Sequence, residues 1–168
     1  MSRRSDSRGQ ALVEFALVVP IFVLLLVAIF DLGHVVWAND AISNAAREAA
    51  RYAIVHGGSE STACPVGPPA QAAVVTPSED CPFPSPSRQA IKDVARQWLI
   101  AVGPDVSVSV CYGSVSVCSA DADGAGATNS RGTPVTVSVR ATVSLGAPSV
   151  LGMGPFDLSS TSTMVVSH

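Results

Sequence analysis

The chain has 168 residues, a formal net charge of −3 and a single lysine, Lys92. That length suits one modest core, and the negative balance argues against nucleic-acid binding. Hydrophobic residues make up 48% of the chain but aromatics only 5%, so the apolar content is mostly Ala and Val. This composition favours a slender helix and strands over a bulky core.

Residues 1–9, MSRRSDSRG, are short, polar and basic, and read as a leader. From Ala11 to Phe30 the chain has twenty residues with no base, one proline and one acid, Glu14. As a helix this run measures about 30 Å, the thickness of a bilayer's hydrocarbon core. Arg3, Arg4 and Arg8 precede it, opposed only by Asp6, while Asp31 and Asp40 follow it. The positive-inside rule then keeps the N-terminus cytoplasmic and exports everything past Phe30. The expected location is the cytoplasmic membrane, crossed once.

No strong helix breaker follows until Gly57-Gly58. Gly33 is a weak point, at about 1 kcal/mol relative to alanine. Pro20 leaves the carbonyl of Ala16 without its partner, which predicts a kink or a loosening. In ANDAISNAAREAARYAIVH, the residues Ala38, Ile42, Ala45, Ala49 and Ala53 form one narrow apolar stripe. Asn44, Arg47, Glu48 and Arg51 lie off it, with Glu48 and Arg51 spaced to pair weakly. An alanine stripe admits a close backbone neighbour. That neighbour is either another copy of the chain or the chain's own globular part. Unbroken from Gln10 to Val55, the helix would be roughly 70 Å long, which reads as a stalk.

Residues 57–87 hold seven prolines with several glycines and serines, and read as a linker. A second helix is predicted over roughly Ser87 to Val102, with Ser87 as N-cap and Gly103-Pro104 as its stop. Ile91, Val94, Ala95, Trp98 and Leu99 fall on one face of it, and Lys92, Asp93, Arg96 and Gln97 largely off it. VSVSV at 106–110 alternates strictly. Val115 and Val117 suggest a short returning hairpin arm. VTVSVRATV at 135–143 alternates again, with Val135, Val137, Val139, Ala141 and Val143 facing inward. A last strand is expected within Asp157 to Ser167. One wet and one buried face favours an antiparallel sheet, which the amphipathic helices can cover. The expected organisation is therefore a leader (1–9), a transmembrane helix (10–31), an amphipathic stalk helix (32–56), a linker (57–87) and an exported α+β domain (88–168).

All four cysteines, Cys64, Cys81, Cys111 and Cys118, follow the apolar run, which fits an oxidising compartment. Three connectivities are possible. Chain proximity favours Cys64–Cys81 and Cys111–Cys118, against the alternative of four reduced, buried thiols. Zinc is disfavoured because no CxxC pair occurs and no histidine is near. Asp121, Asp123 and Gly126 resemble the opening of a calcium loop, but Gly132 stands at the twelfth position and Ala125 at the fifth. A solvated hairpin loop explains that segment better. His34, His56 and His168 are isolated in sequence. There is no HExxH, GxSxG or P-loop motif. These readings imply no enzyme, no cofactor, no metal and no small-molecule substrate.

Glu14 remains to be explained. A carboxylate one turn inside a membrane either snorkels to the headgroups or has a partner or a purpose. Cutting the Gly9–Gln10 bond would create an α-amino group at Gln10, about one helical turn from Glu14. Each charge is costly alone in lipid and tolerable when paired. The pair could form within one subunit or between neighbours, where it would help set axial register. Loss of the leader would move the net charge from −3 to −5, since it carries three arginines and one aspartate.

RGQALVEFALVVP at 8–20, the apolar stretch after it and AISNAAREAARYA at 41–53 together resemble the TadE-like proteins. These are minor pseudopilins of the tight-adherence (Flp) branch of type IV pilus systems. The match covers about residues 8 to 55, a third of the chain. Beyond residue 56 only the layout is compatible. The resemblance implies a pilin-like fold, a leader cut after Gly9 by a prepilin peptidase, and a role for Glu14 in processing or assembly. It implies as partners the membrane, the peptidase, other pilin or pseudopilin subunits and the Tad assembly platform. The product would be an anchored subunit, incorporated into a surface fibre or helping to build it. Gln10 stands where many pilins carry an aromatic. Two other readings stay open: a secreted protein with a signal peptide cut after Ala38, and a permanently anchored extracytoplasmic binding protein.

Overall fold

In the computed structural model the described residues are 6–57, 65–68, 87–100, 102–150, 152 and 154–167. The elements in order are α1 (Asp6–Val55), α2 (Gln89–Gln97), β1 (Val106–Tyr112), β2 (Ala122–Asp123), β3 (Pro134–Val143), α3 (Gly146–Val150) and β4 (Phe156–Val165). The class is α+β. Two compact units divide the chain. One holds the described part of Met1–Trp37 together with Ser144–Phe156, and the other holds Ala38–Val143 with the described part of Asp157–His168.

In the first unit, α1 already includes residues 6–9 of the expected leader and continues through Pro20. Its core-facing partner is the short α3 segment. Gly146 lies so close to the helix that a Cβ there would sit 3.1 Å from Val27 Cγ1.

In the second unit, a four-stranded sheet runs in the order β2-β1-β3-β4. β1 and β3 pair antiparallel over seven residues, from Val106↔Ala141 to Tyr112↔Val135. β3 and β4 are joined by Thr136–Thr163 (2.9 Å), Ser138–Thr161 (3.2 Å) and Thr142–Asp157 (2.8 Å) side-chain hydrogen bonds. The partners descend along β4 as they ascend β3, so this pair is antiparallel too. The expectation of an all-antiparallel sheet fails at one edge: β2 pairs parallel to β1 through Cys111↔Ala122 and Tyr112↔Asp123. The hairpin arm expected at Val115 and Val117 does not form; neither residue lies in a strand.

The reason is the loop between β1 and β2. Gly113 turns the chain with φ +80°, and a Cβ there would come 2.7 Å from the carbonyl oxygen of Ala125. A Cys111–Cys118 disulfide then closes the loop. The chain returns in its original direction rather than reversing. Gly124 N–H donates to the Tyr112 carbonyl at 2.7 Å and Ser114 N–H to the Ala125 carbonyl at 3.1 Å. The expected Cys64–Cys81 pairing lies outside the described residues.

Alternation holds only where one sheet face is open. Val135, Val137, Val139, Ala141 and Val143 are buried as the pattern predicts. Thr136 and Ser138, between them, are buried as well, and their hydroxyls are satisfied by β4. Ser109, in β1, is also buried, and its hydroxyl donates to the Ser119 carbonyl across the disulfide loop.

Ala38, Ile42, Ala45, Ala49 and Ala53 are all fully buried, as are Ala46 and Ala50. The apolar face of α1 is therefore wider than the single stripe read from sequence, and the chain itself covers it. Small side chains let the neighbouring layer approach closely while still removing apolar surface from water. Asn44 and Arg47 stay exposed, and the Arg47 guanidinium donates to Asn44 Oδ1 at 3.0 Å. No Glu48–Arg51 ion pair forms among the described residues.

α2 is shorter than expected, Gln89–Gln97 rather than 87–102. Its N-cap is Arg88, whose side chain makes no capping bond, while the expected cap residue Ser87 still accepts the Gln89 N–H on its hydroxyl at 3.4 Å. Ser87 also forms an isolated parallel bridge with Val66. Past Gln97 the chain tightens into turns, with Trp98 N–H on Ala95 O and Leu99 N–H on Arg96 O. That rotation leaves Trp98 half exposed while Ile91, Ala95 and Leu99 are buried. α2 packs on β1.

Two ion pairs join α2 to the return strand: Arg88 with Asp123, and Lys92 with Asp121 at 2.5 Å. The spacing makes this possible. Residues four apart on a helix rise about 6 Å, and residues two apart on a strand about 6.6 Å. Asp121 also accepts the Val110 N–H at 3.0 Å, so it fastens the loop to β1. Beneath lies Tyr112, fully buried, with the Arg88 guanidinium 5.9 Å from its ring centroid. Among the described residues its hydroxyl has no hydrogen-bond partner.

Removing the loop disulfide by Cys111→Ala with Cys118→Ala is expected to cost about 2.5 kcal/mol, from the closure entropy of so short a loop. Denaturant unfolding of the detergent-solubilised chain measures it; an unchanged midpoint would show the loop is held by the ion pairs alone. Tyr112 gives a second expectation. Burial pushes its phenol well above the ordinary tyrosine value; Arg88 opposes this and Asp123 adds to it. The folded state thus favours the neutral phenol. That contribution is complete below about pH 10 and is lost as pH rises towards the raised folded value. Tyr112→Phe is expected to leave neutral-pH stability unchanged or slightly higher, since no hydrogen bond is lost. It should also remove part of the alkaline destabilisation. A drop of more than about 1 kcal/mol at neutral pH would reveal a partner for the hydroxyl.

Candidate functional site

Gly9, Gln10, Val13, Glu14 and Leu17 line one shallow, open depression on α1. All five are exposed. Helical spacing explains the grouping, because residues four apart stack on one face about 6 Å along the axis. Gln10 and Glu14 are such a pair. The Gly9–Gln10 peptide bond lies within α1.

Gly9 has no packing reason to be glycine. A Cβ built there meets nothing within 4 Å, and its φ is not positive. An exposed helical glycine costs about 1 kcal/mol relative to alanine, and no contact among the described residues compensates.

On both sides of Glu14 along the chain the helix presents exposed apolar side chains. Leu12, Phe15, Leu17, Ile21 and Ile29 are all at least 60% exposed, and Phe30 is 77% exposed. An 18-residue window of α1 reaches a mean hydropathy of 3.0, and none of that window is buried within the chain. A helix that is apolar all round and uncovered among the described residues is a candidate membrane span. One such helix fits a single-pass membrane protein.

Residues 9–51 match the family model of TadE-like proteins. Over that segment the chain is similar to TadE-like proteins. The match opens on Gly9 and closes on Arg51, so it takes in the Gly9–Glu14 face, the apolar run and most of the alanine face. Such a family implies a component associated with the Tad pilus and with the membrane. Comparison with curated proteins finds no match, and neither does comparison with solved structures.

Other sites read from the sequence sit differently. The alanine face at 38–53 is covered internally, so it is not an open surface for a second copy. Among the described residues no cluster of His, Cys, Asp or Glu is placed to hold a metal. Asp121 and Asp123 are engaged by Lys92 and Arg88 instead. His56 stacks on Tyr52 at 4.0 Å and His34 meets Trp37 edge-on at 6.0 Å.

One functional-looking residue was read from sequence only as a flanking charge. Asp31 is half-buried, and its two carboxylate oxygens accept the backbone N–H groups of Gly146 (3.1 Å) and Ala147 (2.6 Å). It caps α3 from 115 residues away. A charged acceptor on two first-turn amides is a strong form of helix cap. Only an unremarkable Leu-Gly-Ala at 145–147 could have hinted at it.

Asp31→Ala should free the 144–156 segment from α1. Hydrogen exchange on the full chain in detergent is expected to show faster exchange at Gly146 and Ala147, corresponding to about 1–2 kcal/mol of lost protection. Unchanged exchange would mean the segment is held by apolar contact alone.

Proposed function

We propose that this chain is a minor pseudopilin: a membrane-anchored structural and assembly component of a Tad (Flp) type IV pilus or a related secretion system. The observation that carries this reading is Gly9, a helix-weakening residue that the fold does not need, one turn and a half before an exposed acid at the edge of an apolar helix. A residue with no use inside the molecule points to recognition from outside it. A prepilin peptidase cutting after Gly9 would have to unwind the helix there, and glycine makes that easy.

Cleavage would remove the basic leader and leave the Gln10 amine a turn from the Glu14 carboxylate. In lipid the two charges would neutralise each other within one subunit or between neighbours. The bulk of the exposed apolar helix, from Leu12 to Val36, would then serve first as membrane anchor and then as the surface for packing against other pilin subunits. The alanine face cannot take that part, being already covered. With the N-terminus cytoplasmic, the sheet unit would lie outside the membrane, where its disulfide is stable. The role is structural, with no catalytic step.

The mature N-terminus tests the reading. Mass spectrometry of the membrane-extracted protein is expected to show Gln10 as the first residue. Gly9→Ala should retain the leader while folding normally, because a methyl group there meets open space. Glu14→Ala should insert into the membrane but sharply reduce surface fibres. A mature form starting at Asn39 would mean a discarded signal peptide, and an intact leader in wild-type cells a permanent anchor. Either result overturns the pseudopilin assignment.

A further inference from the structure

The Ser144–Phe156 segment carries no charged residue. It groups with the membrane-facing half of α1 rather than with the sheet. Asp31 holds it there through two backbone N–H groups. Between segment and helix lies an apolar cavity of about 410 Å³, walled by Ala28, Leu32 and Val35 on one side and Leu145, Pro148 and Phe156 on the other. That volume is within the range of about 300–1,000 Å³ found for small-ligand cavities.

The exposed apolar surface of α1 does not stop at Phe30. Leu32, Val36 and Trp37 remain 67%, 57% and 46% exposed. Ala11 to Trp37 is about 40 Å of helix, which matches a bilayer with its headgroup regions. Trp37 then stands where interfacial aromatics gather. With α1 spanning in this way, residues 28–35 and the segment docked beside them would fall at the boundary between acyl chains and headgroups. An acid at that depth needs partners, and both oxygens of Asp31 have them.

We propose that Ser144–Phe156 is an interfacial wedge, a second point of membrane contact whose cavity cradles a lipid acyl chain of the leaflet remote from the leader. The occupant is lipid because the cavity walls continue the helix surface that lipid already surrounds. No charge on the segment opposes its entry into that zone, and Asp31, at the cavity's edge, already has both carboxylate oxygens hydrogen-bonded to backbone N–H groups. The inference rests on α1 spanning the bilayer.

The test uses the full-length chain in phosphatidylcholine vesicles, in a Trp37→Phe, Trp98→Phe background with one tryptophan reintroduced at a time. The vesicles carry lipids brominated either near the headgroup or near the chain end. Phe156→Trp is expected to lose most of its emission to the headgroup-proximal bromines and little to the deep ones, even at high lipid dilution. Leu145→Trp, on the same cavity wall, should behave alike and guards against a local folding defect. Phe22→Trp should be quenched mainly by the deep bromines.

If Phe22→Trp is quenched while Phe156→Trp and Leu145→Trp are open to aqueous acrylamide, the wedge is overturned and the spanning helix stands. If Phe22→Trp escapes both brominated lipids, the spanning helix itself fails. If Phe156→Trp is shielded from bromine and acrylamide together, and only at high protein density, a second copy fills the cavity and the lipid proposal is overturned.

Discussion

Apolar surface that the described residues leave uncovered governs this molecule. The first half of α1 exposes Leu, Ile, Val and Phe on all sides, and its most hydrophobic window buries none of them. Burying a single such side chain stabilises by about 1.5–3 kcal/mol, so a run of this length cannot remain in water. It requires lipid or other helices. In the proposed pseudopilin role the same surface would also pack against other helices in a fibre, so anchoring and assembly would be two uses of one physical property. Glu14 and Gly9 stand at its edge, where a charge and a weak point in the helix have consequences they would lack in solvent.

The second half of α1 obeys the opposite rule. From Ala38 onward the apolar positions are small and fully covered, and the polar ones remain outside. One continuous helix thus changes its surroundings without changing its backbone. Only side-chain size and burial distinguish the two halves. Alanine suits the covered half because it adds little bulk to a close approach, whereas larger residues would force the packed layer apart.

Irregular parts of the chain are fastened by polar contacts rather than by apolar bulk. Asp121 holds a strand amide and a lysine, Asp123 pairs with Arg88, and Asp31 caps a helix turn far along the chain. Exposed ion pairs contribute little individually, about 0–1 kcal/mol, so their use here is mainly to fix geometry. The disulfide between Cys111 and Cys118 closes the same loop covalently. Together they hold a two-residue parallel strand that no propensity would specify.

Local periodicity made much of this fold readable in the sequence. The apolar run, the alanine positions, the inward residues of β3 and the approximate place of α2 all repeat at intervals that a helix or strand imposes on itself. The Gly9, Glu14 and Pro20 spacing was equally legible, since it lies within one helix. What only the tertiary structure decided involves partners distant in sequence. Asp31 meets Gly146 and Ala147 across more than a hundred residues, Asp121 and Asp123 meet Lys92 and Arg88 about thirty residues back, and β2 exists because a bridged loop returns it beside β1. Such contacts leave no repeat behind, because each joins one residue to another through space. The full covering of the alanine face was undecided for the same reason: a stripe records which side is apolar, and the folded chain alone determines what lies against it.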